Sequence, residues 1–254
     1  MPVKVKTWGG PSTVATIPTF TDNFNRVGNL LQTYPWQLWG SPAQWRVASN
    51  FPTNTFNALF SGLFTTGTVL SIDATGAAGV VYFFKSWLTP APFWGTDFVA
   101  SPGHSQFSQY KIVSDNSGSA APGSKIGVGL GCMCQQVSPN ISYGGGYYLE
   151  IRGFDLSLQL YRNLGDNGNG GDVSLAGPVA GAFGFGDTVR LECVVAAGNN
   201  TLTAKVNGAA VAGITSIVDS DATRPRFGPP GIGLSYQDSN AFFITIDDYS
   251  GGPL

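Results

Sequence analysis

The sequence predicts an all-β sandwich or barrel, and three observations carry that expectation. Short runs of alternating apolar and polar residues recur along the chain, separated by Gly, Asn, Asp and Pro. Strong helix formers are scarce, with 6 Lys, 2 Glu and 2 Met among 254 residues, while Gly, Thr, Val, Phe and Tyr dominate. No window sustains a 3.6-residue amphipathic pattern, and the best helical candidate is one turn over Ala43 to Ala48.

Composition narrows the class further. Charged residues make up 11% of the chain, under half of the ~25% usual for soluble domains. The 35 glycines are roughly double the usual ~7%. A net charge of −2 gives no polycationic surface, so nucleic acid is not an expected partner. An apolar fraction of 43% suffices to bury a core, which excludes disorder. No apolar run approaches the ~18 residues of a spanning helix, so membrane insertion is not expected. All-β sandwiches of this length are routinely single domains.

Residues 1–20 read as an amino-terminal arm and residues 21–254 as the β-sandwich domain. In the arm, Val3-Lys4-Val5-Lys6 alternates like a short edge strand before Gly9, Gly10, Pro11 and Pro18 break the chain. It reads equally as a frayed terminus or as a docking arm for a neighbouring subunit. The amino terminus has no apolar core segment or cleavage motif, so no secretory signal is expected.

In the front half the expected strands are Trp45–Val47, Val69–Ile72, Gly79–Phe84 and Ser105–Val113. Ile126–Cys134 continues them, with Cys132 and Cys134 two apart on one strand face. The later half is more legible. Gly146–Arg152 alternates and turns at Gly153, and Leu156, Leu158 and Leu160 then share a face. A polar loop, Asn163 to Asp172, follows. Val189, Leu191, Cys193 and Val195 face inward, with Arg190 and Glu192 outward. Gly198-Asn199-Asn200 turns the chain into Leu202, Ala204 and Val206. Asn207-Gly208 is a strong type I′ hairpin signal. Gly231–Tyr236 and Phe242–Tyr249 close the chain. No repeat of 20–50 residues is visible, which disfavours a propeller or solenoid.

Four landmarks in this order resemble the concanavalin A-like lectin/glucanase (laminin G-like) jelly roll. The first is Phe20-Thr-Asp-Asn-Phe-Asn-Arg26 with Leu30, Trp36 and Trp45-Arg-Val47. The second is Gly145–Gly153 with Leu158–Arg162, and the third is Gly186–Glu192 with Leu202–Gly208. The fourth is the closing Ile246-Asp-Asp-Tyr-Ser-Gly251. The resemblance implies a concanavalin A-like jelly-roll β-sandwich with an extended N-terminal arm. That fold hosts lectins, glycosidases and scaffolds alike, and similar domains are common in tailed-bacteriophage minor tail, fibre and capsid-decoration proteins.

Glucanases of this family use a Glu-x-Asp-x-x-Glu strand whose carboxylates lie ~5–5.5 Å apart. The only glutamates here are Glu150 and Glu192, and neither stands in that motif, since Arg152 and Val194 occupy the position of its middle acid. Each reads as a solvated ion pair, with Arg152 and Arg190 respectively. Asp247 and Asp248 are adjacent, hence on opposite faces. His104 stands in a Pro/Gly loop with no Gly-x-Ser-x-Gly elbow nearby. No catalytic residues, and no enzyme, are therefore expected. The three cysteines read as buried small hydrophobes in a reducing compartment rather than as a metal or redox site.

No cofactor is expected, calcium being the one ion with weak candidates: Asp166 and Asp172 bound a loop rich in Asn and Gly, which lacks an EF-hand's spacing and closing Glu. The Asp219-Ser-Asp221 pair is weaker still. Aromatics are the remaining functional material. Trp36 and Trp45 read as core, while Trp39, Trp87, Phe93 and Trp94 flank proline loops and are the expected glycan or interface contacts. The sequence-based expectation is a non-enzymatic virion structural protein, a minor tail, fibre or decoration component. It would assemble in the host cytoplasm as a homo-oligomer among other virion proteins and contact host-surface polysaccharide. The alternative is a lectin-like carbohydrate-binding module; a glycoside hydrolase is a distant third.

Overall fold

A computed structural model describes residues 19–25, 27–29, 45–49, 62–66, 69–73, 84–90, 104–115, 127–136, 144–152, 155–164, 172–236 and 243–254. Seventeen strands are present and no helix is found among the described residues. In chain order they are β1 (Phe20–Asp22), β2 (Val27–Asn29), β3 (Trp45–Ser49), β4 (Gly62–Thr66), β5 (Leu70–Asp73) and β6 (Phe84–Pro90). Then come β7 (Gln106–Asp115), β8 (Gly127–Gln136), β9 (Gly144–Arg152), β10 (Ser157–Leu164), β11 (Asp172–Val179) and β12 (Thr188–Ala196). The last are β13 (Asn199–Val206), β14 (Ala209–Ala210), β15 (Ile217–Asp219), β16 (Gly231–Tyr236) and β17 (Phe243–Pro253).

The strands form two antiparallel sheets. The larger, ten-stranded sheet runs β14-β13-β12-β7-β17-β5-β4-β2, with β1 on β17 and β15 on β13. The smaller, seven-stranded sheet runs β11-β10-β9-β8-β16-β6-β3. The expected all-β sandwich is thus the observed architecture. The alternation read from the sequence places its core: Val189, Leu191 and Cys193 of β12 and Leu202 and Ala204 of β13 are fully buried. They join Leu130, Leu149, Leu158, Leu160 and Ile232 of the smaller sheet in one cluster.

The first and last landmarks meet. β1 pairs with β17, Asp22 opposite Tyr249. Asp22 Oδ2 accepts a hydrogen bond from Trp45 Nε1 at 2.7 Å, and its Oδ1 accepts from the Phe24 backbone N–H at 2.8 Å. Trp45 is core, as expected, and its ring meets Tyr249 edge-on at 4.8 Å and Phe20 at 5.6 Å. Because Trp45 belongs to the smaller sheet and Asp22 to the larger, this carboxylate ties the two together.

Several local expectations are corrected. Ala43–Ala48 forms no helical turn where it is described, because Trp45–Ser49 pairs with β6 as β3. Cys132 and Cys134 do not share a face. The β8–β9 register shifts between Cys132 and Gln135, and Met133 sits at φ 54°. This bulge sends Cys132 into the main core and Cys134 into a separate cluster with Tyr148 and Tyr161. The β12–β13 turn falls one residue early, at Ala197-Gly198 with φ 49° and 80°, because a two-residue type I′ turn needs both centres positive. Asn207-Gly208, at φ 50° and 83°, makes the predicted hairpin of β13 and β14. The Asn163–Asp172 loop is shorter than expected, since β10 runs to Leu164 and β11 begins at Asp172. Residues 1–18, including the arm's Val3–Lys6, lie outside the described residues, as do 79–83 of the expected Gly79–Phe84 strand.

Asp22→Ala removes the acceptor from a buried indole N–H, which costs ~1–3 kcal/mol. Urea unfolding is expected to show that loss, with Trp45→Phe in the Asp22→Ala background recovering part of it.

Candidate functional site

One face of the smaller sheet packs into the sandwich and the other turns away from it. On that outer face, β9 and β10 align their side chains in pairs: Tyr148 with Tyr161, Glu150 with Gln159, and Arg152 with Ser157. The two-residue period places them together, since Tyr147, Leu149 and Ile151 point the other way into the core. Arg152 Nη2 donates to Glu150 Oε2 at 2.8 Å, to Gln159 Oε1 at 3.0 Å and to Tyr161 OH at 3.3 Å. Gln159 Nε2 donates onward to Ser174 Oγ of β11 at 3.0 Å. Arg152 Nε and Ser157 Oγ, buried neighbours across the strands, find no acceptor or donor among the described residues.

The Glu150–Arg152 ion pair is the one expected, but it is not solvated. The Glu150 side chain is 2% exposed and that of Arg152 15%. Burial pushes the Tyr148 phenol well up, helped by the Glu150 charge. The Tyr148 ring lies against Gly129 of β8, where an added Cβ would stand 2.6 Å from the ring. The Leu149 carbonyl oxygen would stand nearer still, so backbone and ring together require glycine at 129. Register extends this line: Gln159, Glu150, Gly129, Gly233 and Trp87 are successive partners across β10, β9, β8, β16 and β6. Trp87, expected beside a proline loop, thus lies within a strand and level with Glu150.

A second polar constellation lies between the sheets, and only its Asp219 and Asp221 are singled out by sequence reasoning. Tyr147 OH donates to Asp219 Oδ2 at 2.9 Å and accepts from Asn200 Nδ2 at 2.8 Å. Asn200 Nδ2 also donates to the Pro225 carbonyl at 2.6 Å. Arg162 Nη1 reaches Asp219 at 2.8 Å and its Nη2 reaches Asp221 at 3.1 Å. Arg162 continues the Leu158, Leu160 face, a position that reads as apolar by period alone. The weak Asp219–Asp221 ion candidate is corrected by this geometry, because Arg162 holds both carboxylates.

Glu192 has the outward position expected of it. It pairs with Arg190 at 2.7 Å and with Lys205 at 2.8 Å, and Arg190 covers the Phe107 ring at 3.8 Å. Its side chain, at 14% exposure, is more enclosed than a solvated pair would be. Asp172 lies in β11 opposite Asn163. Trp39, Phe93, Trp94 and Asp166 lie outside the described residues, as does Trp36. His104 is half-buried just before β7. Among the described residues, no three His, Cys, Asp or Glu side chains gather as a metal site. No second carboxylate stands beside Glu150 in its register row, since Gly129 and Gln159 flank it.

No family model and no curated protein matches the chain. Solved structures to which it is similar include lectins, glucanases and a xylosidase. It is similar to LamAcat from Zobellia galactanivorans, with a TM-score of 0.48, 15% identity, and 94% of this chain and 98% of that chain covered. It is also similar to peanut lectin, with a TM-score of 0.47, 9% identity, and 94% and 98% covered. SCLam, a non-specific endo-beta-1,3(4)-glucanase from family GH16, gives a TM-score of 0.48 at 12% identity, with 94% and 91% covered. These are the groups that the four landmarks resemble. Activities and ligands do not transfer at such identities.

Asp221 supplies a pH prediction. Hydrogen bonds from Thr223 come first and the Arg162 charge adds to them, lowering its carboxyl to about 2. A carboxylate depressed on folding stabilises above its unfolded pKa of ~3.9 and loses that contribution as pH falls through the folded value. Stability is expected to drop between roughly pH 4 and pH 2, and Asp221→Asn to flatten that part of a pH-dependent melting series. Arg162→Met leaves Asp219 buried without its cation and is expected to cost about 3–5 kcal/mol in urea unfolding.

Proposed function

We propose that the protein binds carbohydrate without hydrolysing it, on the outer face of the smaller sheet at the partly exposed edge of Arg152, which Glu150, Gln159 and Tyr161 hold in place. The observation that carries this reading is the Arg152-centred network. It joins a guanidinium, a carboxylate, an amide and a phenol on a face that the sandwich core does not use. Sugar recognition needs planar donors and acceptors that engage hydroxyls. The exposed edge of Arg152 is where the network meets solvent. The lectin-like names among the structural neighbours agree with this class of ligand.

Binding is favoured over hydrolysis by what flanks Glu150 in its register row. A retaining or inverting glycosidase needs two carboxyl groups flanking the bond, ~5–9.5 Å apart. Glu150 has Gly129 and Gln159 as its row partners and is already engaged by Arg152.

A second reading keeps the virion setting: a particle component held by subunit contacts, with the glycan on the host surface. The outer face of the larger sheet favours it. Val194, Thr201 and Val218 form a row across β12, β13 and β15, and Val194 and Val218 are exposed at 41% and 58%. Gold-tagged antibody on purified particles tests that placement: labelled virions support it, and protein free of particles overturns it.

A glycan array followed by calorimetry tests the binding reading. Wild type is expected to bind at least one polysaccharide class and to release no reducing sugar. Arg152→Ala is expected to weaken that binding at least tenfold with the far-UV spectrum unchanged. Binding unaffected by Arg152→Ala removes this face from the reading, and sugar release abolished by Glu150→Gln overturns the non-enzymatic assignment.

A further inference from the structure

Two of the three free thiols face each other across the sandwich, and the fold gives them no other task. Cys132, on β8 of the smaller sheet, and Cys193, on β12 of the larger, are both completely buried in the main core. The Cys132 sulfur stands 3.7 Å from the Leu191 carbonyl oxygen and 4.0 Å from that of Gln106. Those two carbonyls bracket Cys193: Gln106 is its register partner on β7, and Leu191 precedes it by two on the same inward face. Packed sheets usually lie ~10 Å apart. A sulfur in van der Waals reach of the opposite sheet's backbone means a closer approach here, toward the ~4.4–6.8 Å Cα separation of a disulfide.

We infer that Cys132 and Cys193 are a latent inter-sheet disulfide, formed when the chain folds in an oxidising medium, with Cys134 left as the unpaired thiol. The Met133 bulge makes the choice of pair. By turning Cys134 to the outer cluster with Tyr148 and Tyr161, it leaves Cys132 as the β8 thiol that faces Cys193.

Timing follows from burial. Desolvation and the neighbouring Cys193 push the Cys132 thiol up, and burial pushes Cys193 to about 12. Both are protonated at neutral pH, and the thiolate is the reactive form. The folded, reduced protein therefore resists oxidation, and the bond forms while the chain is still open. With glutathione disulfide as oxidant, one Cys thiolate attacks its S–S bond and expels one glutathione. The second Cys thiolate then attacks the mixed disulfide and expels the other. The Cys132–Cys193 bond replaces the glutathione S–S bond, and the two thiol protons end on two reduced glutathiones.

The test refolds denatured full-length protein with a reduced/oxidised glutathione buffer or with dithiothreitol. Peptide mapping under non-reducing conditions is expected to find the Cys132–Cys193 linkage in the monomeric oxidised product. That product is expected to melt roughly 5–15 °C above the reduced form. Cys134→Ser is expected to keep both the linkage and the rise, and folded reduced protein in the same oxidised buffer to stay unmodified for hours. A Cys132–Cys134 or Cys134–Cys193 linkage, no linkage at all, or a 132–193 product that melts lower than the reduced form overturns the inference. Cys134→Ser, in a different buried cluster from the pair, keeps the test decisive even where Cys193→Ser fails to fold.

Discussion

Buried polar groups must find partners in the opposite sheet, and that constraint governs the whole sandwich. The interior is not purely apolar: a row of side chains crosses it. Asp22 takes the indole of Trp45 at one side. Ser108 Oγ donates to the Gly231 carbonyl at 2.7 Å in the middle. Beside it Gln106 donates to the Gly228 carbonyl and accepts from the Met133 N–H. At the other side Tyr147, Asn200, Asp219 and Arg162 join β9 and β10 to β13 and β15. Each such bond is worth only ~0.5–1.5 kcal/mol net, but leaving its partner buried and unmade costs ~1–3. The bridges therefore act mainly against alternatives: sheets that slide or separate strand several buried donors at once. Apolar packing supplies the driving force, and these bonds fix the register in which it is realised.

The same constraint explains what the sequence could and could not disclose. Period-two alternation identified β12 and β13 because both put apolar residues inward and polar ones outward. Asn207-Gly208 identified its hairpin because few residues tolerate two consecutive positive φ angles. Where the inward face is itself polar, alternation misleads: Gln106 and Ser108 are as buried as Ile112, and Arg162 takes an inward position that its neighbours make look apolar. The β8 bulge was invisible because nothing in Gly-Cys-Met-Cys marks a residue that will adopt positive φ. β11 was missed because an edge strand half exposed along its length, with Pro178 in it, lacks a buried face to create a pattern. Of the site, Glu150 and Arg152 were legible as a pair. Their enclosure was not, because it depends on β10 lying alongside and on Tyr148 folding over Gly129.

Enclosure changes the meaning of that pair. A solvated Glu–Arg contact contributes ~0–1 kcal/mol and carries no functional message. A buried one is costly to assemble and rarely more stable than apolar residues of the same shape. Its persistence on the outer face, where the core gains nothing from it, calls for a reason other than stability. Orienting Arg152 between a carboxylate, an amide and a phenol is such a reason, since a guanidinium held by three partners keeps its remaining N–H groups in fixed directions.

The two outer faces divide the chemistry. On the larger sheet, Arg190 and Lys205 share the one carboxylate of Glu192 beside Phe107, and beyond them Val194 and Val218 are left to solvent. Charges that satisfy each other within one chain leave little to steer a distant ligand, while exposed valines suit a flat contact that excludes water. On the smaller sheet the polar groups are gathered around one arginine, with donor capacity remaining at Nε. A chain with so few charges cannot place them at random on both faces. On the reading proposed above, concentrating directional hydrogen bonding on one sheet and apolar exposure on the other would let a single sandwich meet a hydroxyl-rich ligand and a protein neighbour on opposite sides, with neither contact competing for the other's surface.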